Sequence, residues 1–158
     1  MLLVKPIRQK PNFCGVATLK MVLDYFGIKV SEKKLIRLTG ATAKKGTSAE
    51  GIKKTAQKLG FLVGIKDGAS FSDIKYWLNK KVPVIVSWFS VYGGYPEGHY
   101  SVVVDLDRNY IYLQDPEIAA IRKMNKKDFL RVWFDFEGDF MKSKNDLVLR
   151  RLISVYRK

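Results

Sequence analysis

Apolar positions recur at helical spacing through the first third of the chain and in alternating or continuous runs after that, which predicts helices first and strands later. Val16, Leu19, Met21, Leu23 and Phe26 suit a helix buried on most of its circumference. Pro11 and Asn12 stand before it as breaker and N-cap, and Gly27 follows as the C′ residue. Residues 31–38 read as a short second helix beginning at Ser31 and closed by Gly40, with a loop over 43–46. Thr47-Ser48-Ala49-Glu50 has the form of a capping box, and the helix it opens carries Ile52, Ala56 and Leu59 on one side before Gly60 ends it.

β-Branched and aromatic runs then take over. Residues 61–66 read as a strand, Ser70 with Asp73 caps a helix carrying Ile74, Trp77 and Leu78, and 82–89 is a rich strand with Pro83 at its start. A glycine-bearing loop, 91–98, leads into 99–105; a turn at 106–109 returns the chain as 110–115, a hairpin by pattern. Residues 125–133 suit a helix and 147–156 a last strand. No internal repeat, low-complexity tract or linker interrupts this order. The expectation is one α+β domain over residues 1–158, with an N-terminal helical lobe and a C-terminal antiparallel β-sheet lobe.

Composition narrows the chemistry. A chain of 158 residues can bury a core without staples. Its single cysteine cannot close an intramolecular disulfide, and one Cys with one His cannot supply the four side-chain ligands of the usual structural zinc site. No cofactor is expected. No charged leader with an apolar run opens the chain and no stretch approaches the roughly 20 apolar residues of a membrane span, so a soluble, cytoplasmic protein is expected. A net charge of +14 invites a nucleic-acid or acidic-membrane reading. The lysines, however, are spread as pairs such as Lys33-Lys34, Lys44-Lys45, Lys53-Lys54, Lys80-Lys81 and Lys126-Lys127, the usual mark of solvated helix faces. No helix-turn-helix, zinc-finger or ribonucleoprotein motif accompanies them, so nucleic acid is not the expected partner.

With Asn12 as cap, Cys14 lies in the first turn of its helix, where unpaired N–H groups and the positive end of the dipole favour an anion such as a thiolate. If the hairpin folds about Asp107, His99 and Asp115 face each other at its open end, with Cβ atoms about 5 Å apart. Nucleophilic catalysis by cysteine needs a base, a group that orients the base, and an oxyanion donor. Cys14, His99, Asp115 and Gln9 can fill those places. Each alone has a plainer reading: a buried small hydrophobe, a surface filler, a turn at Asp115-Pro116, and a generic exposed polar residue. The rarity of Cys and His, and their placement at a helix start and a strand start, favour the joint one.

Gln9, Cys14-Gly15 and the helix end Asp24-Tyr25-Phe26-Gly27 resemble the nucleophile segment of the bacteriocin-processing cysteine peptidases, papain-like domains that remove double-glycine leaders, usually at the N-terminus of an ABC exporter. The likeness continues through 46–52, 59–61, 82–85, Gly98-His99-Tyr100-Ser101, Leu113-Gln114-Asp115-Pro116 and 127–133, nearly the whole chain. It implies a papain-like fold with Cys14 as nucleophile, His99 as general base, Asp115 as orienting carboxylate and Gln9 with the Cys14 backbone N–H as oxyanion hole. Phe13 replaces the acidic residue often found before the family's cysteine, and no membrane or ATP-binding segment follows, so a stand-alone peptidase domain is expected.

In such a domain Trp88, Phe89, Tyr92 and Tyr95 lie beside the substrate cleft, while core packing is the plainer and favoured reading of Trp88 and Phe89. Trp88, Tyr92, Gly93, Gly94 and Tyr95 are the candidate substrate-binding residues, and the 92–95 segment the candidate lid. The expected partners are a peptide or protein substrate, acidic or carrying a double-glycine leader, and a separate membrane exporter. The rival functions are acyl transfer or deamidation on the same triad, and a module that binds a leader without cutting it.

Overall fold

The computed structural model describes residues 1–136, 138 and 140–158. The rich apolar run becomes a strand, Val84–Ser90 (β2), buried at every position but Phe89. A strand buried on both sides has to be covered on both. Helices α1 (Cys14–Tyr25), α2 (Glu32–Thr39) and α3 (Ala49–Lys58) cover one face of the sheet, where Val22, Leu35 and Ile52 pack with Ile85, Val102 and Ile153. Helices α4 (Phe71–Asn79) and α5 (Lys126–Val132) cover the other, where Ile74 and Phe129 pack with Val86, Trp88, Val103 and Leu113.

The sheet adds β1 (Leu62–Lys66), β3 (Glu97–Leu106), β4 (Tyr110–Asp115), β5 (Ala120–Asn125) and β8 (Arg151–Tyr156), in the order β1-β8-β2-β3-β4-β5 with antiparallel neighbours throughout. β6 (Phe134–Phe136) and β7 (Leu147–Leu149) form a separate ribbon. The mixture of helices and an antiparallel sheet is the expected α+β class, with the sheet held between helical layers.

Several local expectations are corrected. Asn12 does not cap α1: its backbone is left-handed at φ 65°, its amide donates to the Ala43 carbonyl at 2.7 Å, and Phe13 is the N-cap without a side-chain bond. Ser48 rather than Thr47 caps α3, accepting from the Gly51 N–H, while Glu50 turns to Lys54. The last strand is two strands, broken at Arg150 where φ is +47°. The expected features at Gly27 and Ser70 are present. Gly27 is left-handed, with Ile28 N–H bonded to the Leu23 carbonyl and Gly27 N–H to that of Asp24, and Ser70 and Asp73 form a reciprocal capping box.

Candidate active site

Cys14 is the first residue of α1 and is half-buried. The opening N–H groups of a helix have no intrahelical acceptor, so the sulfur and the backbone N–H of this residue sit at the positive end of a 12-residue helix. The neighbouring Gly15 lets α1 approach the start of α3, since a Cβ there would lie 2.6 Å from that of Thr47.

His99 is 4% exposed, with Asp115 and Cys14 as its side-chain partners. Nε2 donates to Asp115 Oδ1 at 2.6 Å, and the Cys14 side chain is the ring's other interacting group. Burial disfavours the imidazolium, but the hydrogen bonds to Asp115 and Cys14 and the charges they bring outweigh it, and the pKa is raised to about 10. Asp115 is fully buried; burial opposes its charge, yet His99, Arg122 and the Glu117 N–H together hold its carboxyl below the usual range. Tyr100, on the strand beside His99, is buried near Cys14, and burial and that charge push its hydroxyl up.

The register differs from the one expected. The hairpin pairs Val102 with Gln114 and Val103 with Leu113, then slips by one at a bulge to pair Asp105 with Tyr112. Continuing the ladder from Val102 puts Asp115 opposite Ser101 rather than His99. The carboxylate therefore meets the imidazole diagonally, two residues along the same face, a distance such side chains span.

Gln9 is anchored beside this end of the sheet by its N–H, which donates to the Pro116 carbonyl at 2.9 Å; its Oε1 is buried without a protein partner. Trp88 is corrected. It is fully buried, donates from Nε1 to Ser101 Oγ at 3.0 Å, and meets the His99 ring edge-on with centroids 5.5 Å apart, so it walls the imidazole and cannot grip a substrate. Tyr92 and Tyr95 are 53% and 61% exposed, and Gly94 is left-handed at φ +69°. Gly93 lies against the Glu117 carboxylate, where a Cβ would come 2.5 Å from Oε1.

Arg122 on β5 is the residue that sequence reasoning missed. Its Nε donates to Asp115 Oδ2 at 2.6 Å and its Nη2 to Glu117 Oε2 at 3.3 Å, and its guanidinium sits 4.3 Å from the centre of the Tyr92 ring. Among the described residues His99, Asp115 and Glu117 offer ligand atoms within 4.8 Å of one another, but the guanidinium already bridges both carboxylates, so this cluster is built around an organic cation.

Residues 5–136 match the Peptidase C39 family. The lactococcin transport/processing ATP-binding protein LcnC-like of Lactococcus lactis subsp. lactis strain IL1403 is 34% identical over 122 residues, 76% of this chain and 16% of that protein. The chain thus spans about a sixth of the length of this relative. The peptidase domain of Streptococcus ComA, a bi-functional ABC transporter involved in quorum sensing, superposes with a TM-score of 0.73 at 25% identity over 98% of this chain and 99% of that one. A double glycine motif protease from an AMS/PCAT transporter, in complex with its leader peptide, shares the fold with a TM-score of 0.64 at 20% identity, covering 96% of this chain and 89% of that one. No helix among the described residues is long and apolar enough to cross a membrane.

Proposed function

Because the chain belongs to the Peptidase C39 family, we propose that it is a cysteine peptidase that removes the leader of a peptide through Cys14, His99 and Asp115. The observation that carries this reading is the buried imidazole held between a carboxylate and the one thiol of the chain. Nε2–H donates to Asp115, which supports a reading in which the other ring nitrogen serves the Cys14 sulfur.

With His99 carrying the proton as imidazolium, the Cys14 sulfur attacks the scissile carbonyl carbon. Negative charge moves to the carbonyl oxygen, where the Cys14 N–H and the Gln9 amide are the donors. Collapse breaks the C–N bond, His99 returns its proton to the leaving amine, and a thioester remains on Cys14. Water, deprotonated by His99, attacks that thioester; the acid leaves and the thiol is restored. The imidazolium preferred in the resting pair is the acid this cycle needs at the leaving amine.

The names of the relatives support a peptide with a double-glycine leader as substrate and a transporter as working partner. The test is incubation with a synthetic double-glycine leader peptide, followed by mass spectrometry. The expected result is cleavage after the second glycine, a thioester on Cys14 under rapid acid quench, and loss of cleavage by more than about 1,000-fold in Cys14→Ala. Binding of the leader without cleavage by the parent protein would make this a recognition module. Capture of the acyl group by an added amine in preference to water would make it an acyltransferase.

A further inference from the structure

The turn between β4 and β5 collects more of the site than its sequence suggests. Asp115 ends β4, and its carboxylate takes His99 Nε2–H and the Glu117 N–H on one oxygen and Arg122 Nε–H on the other. Gln9 is tied to the carbonyl of Pro116, and Arg8 donates to the carbonyls of Glu117 at 2.8 Å and Ile118 at 3.1 Å. From the opposite side the 91–96 segment descends on the same turn, with Tyr92 over the Arg122 guanidinium and Gly93 against Glu117. Arg122 is mostly buried, its side chain 15% exposed, and so is sandwiched between two carboxylates and an aromatic face.

We propose that Arg122 is a positioning residue for the reaction, holding the Asp115 carboxylate in the orientation that fixes the His99 ring and clamping the Tyr92 segment onto the same turn. This rests on the peptidase reading for its catalytic consequence, though not for its effect on the thiol. An orienting carboxylate works only while it is ionised and aimed. His99 alone leaves Asp115 Oδ2 without a partner in a fully buried position, and a buried acceptor in that state is costly. The guanidinium fork supplies that partner and, through its second arm on Glu117, sets the angle from which it does so. Because Tyr92 covers the other face of the guanidinium, the placement of the exposed loop and that of the buried carboxylate share one side chain.

The charged and titratable groups that face Asp115 are His99 from β3, Arg122 from β5 and Glu117 from the turn, with Cys14 of α1 next in line through His99 and Arg8 on the turn's carbonyls. Of these only His99 and Arg122 bring positive charge to the carboxylate itself. Removing Arg122 therefore moves the protonation of Asp115 to higher pH, and with it the pH below which His99 is no longer held.

The experiment compares Arg122→Gln and Arg122→Lys with the parent, Asp115→Asn and His99→Ala. It reads the rate of iodoacetamide alkylation of Cys14 across pH, then kcat and KM on a double-glycine leader peptide. Arg122→Gln is expected to shift the acid limb of alkylation upward by about one pH unit or more. Its kcat is expected to fall roughly tenfold to a hundredfold. Arg122→Lys keeps the charge but reaches one carboxylate only, so its limb moves in the same direction by less. If the glutamine variant fails to fold, the lysine variant decides, and a parental limb in it overturns the proposal. A glutamine variant that folds with a parental limb also overturns it, as does parental alkylation that ignores His99→Ala. If the parent cleaves no peptide while the limb still depends on Arg122, the positioning role stands and the peptidase reading falls.

Discussion

One imidazole sets the pH behaviour of this molecule. His99 is the only histidine, and it is buried with Asp115 and Cys14 as its partners. Its folded pKa of about 10 stands above the ordinary 6.5, so protonated His99 favours the folded state. That contribution is complete below pH 6.5 and is lost as pH rises through 10. Asp115 has the opposite sign, because its pKa is lowered on folding: its contribution is present above the ordinary carboxylate range and is lost in acid. The melting temperature of the parent should therefore exceed that of His99→Gln by a margin that shrinks between pH 6.5 and 10, and that of Asp115→Asn by a margin that shrinks below about pH 4. A margin for His99→Gln that grew toward alkaline pH would mean the ring folds neutral.

At the scale of elements, approach distance matters as much as pattern. Gly15 lies one residue past Cys14, and the space a methyl would need is already filled by Thr47 at the entrance to α3. Alanine is the better helix former by about 1 kcal/mol, yet crowding of this kind costs roughly 1–3 kcal/mol, so crowding wins. Gly15→Ala should lower the denaturant midpoint. Adding Thr47→Gly should restore part of it, whereas two losses that simply add would show that the contact is not the cause.

What the sequence showed at this scale, and what it hid, follow one physical divide. The caps at Ser31 and Ser70, the left-handed glycines at 27 and 40, and the apolar run of β2 are local signals, and each is found where it was expected. β5 was invisible because it is an edge strand: of its residues only Met124 is buried, and Ala120, Ile121 and Lys123 face outward, so no alternation marks it. The short β6 and β7 depend on each other and on Phe89 stacking over Phe134 and Phe136, a contact between residues 45 and more positions apart. A hairpin centred on Asp107 brings His99 and Asp115 together, but the strands pair about a point between Arg108 and Asn109, and only the bulge slips Asp115 onto the His99 face, diagonally; nothing in Val103-Val104-Asp105 announces the extra residue. Arg122 reads as one more basic residue until β4 and β5 are paired with Leu113 opposite it, which lays it diagonally against Asp115.

Over the whole molecule the charge is uneven. Residues 29–58 carry nine basic side chains and two acidic ones, half of the net +14. Within this stretch Lys44 and Lys45 stand on an exposed turn closed by the Thr42–Gly46 bridge, and the Asn12 amide binds that turn through Ala43. Asn12 is two residues from Cys14, so the basic turn is fastened beside the proposed site rather than on a remote face. A field of this sign raises the rate at which an anionic peptide finds the cleft, and salt screens it over a Debye length of about 8 Å at 0.15 M ionic strength. The chemical step occurs inside the site and feels this screening far less. For a leader peptide carrying several acidic residues, kcat/KM should fall as sodium chloride is raised while kcat holds. For the same peptide with those acids replaced by glutamine, kcat/KM should stay nearly flat, and Lys44→Glu with Lys45→Glu should bring the acidic peptide down to the neutral one at low salt. Equal salt dependence of the two peptides would show that the basic charge acts elsewhere than on the substrate.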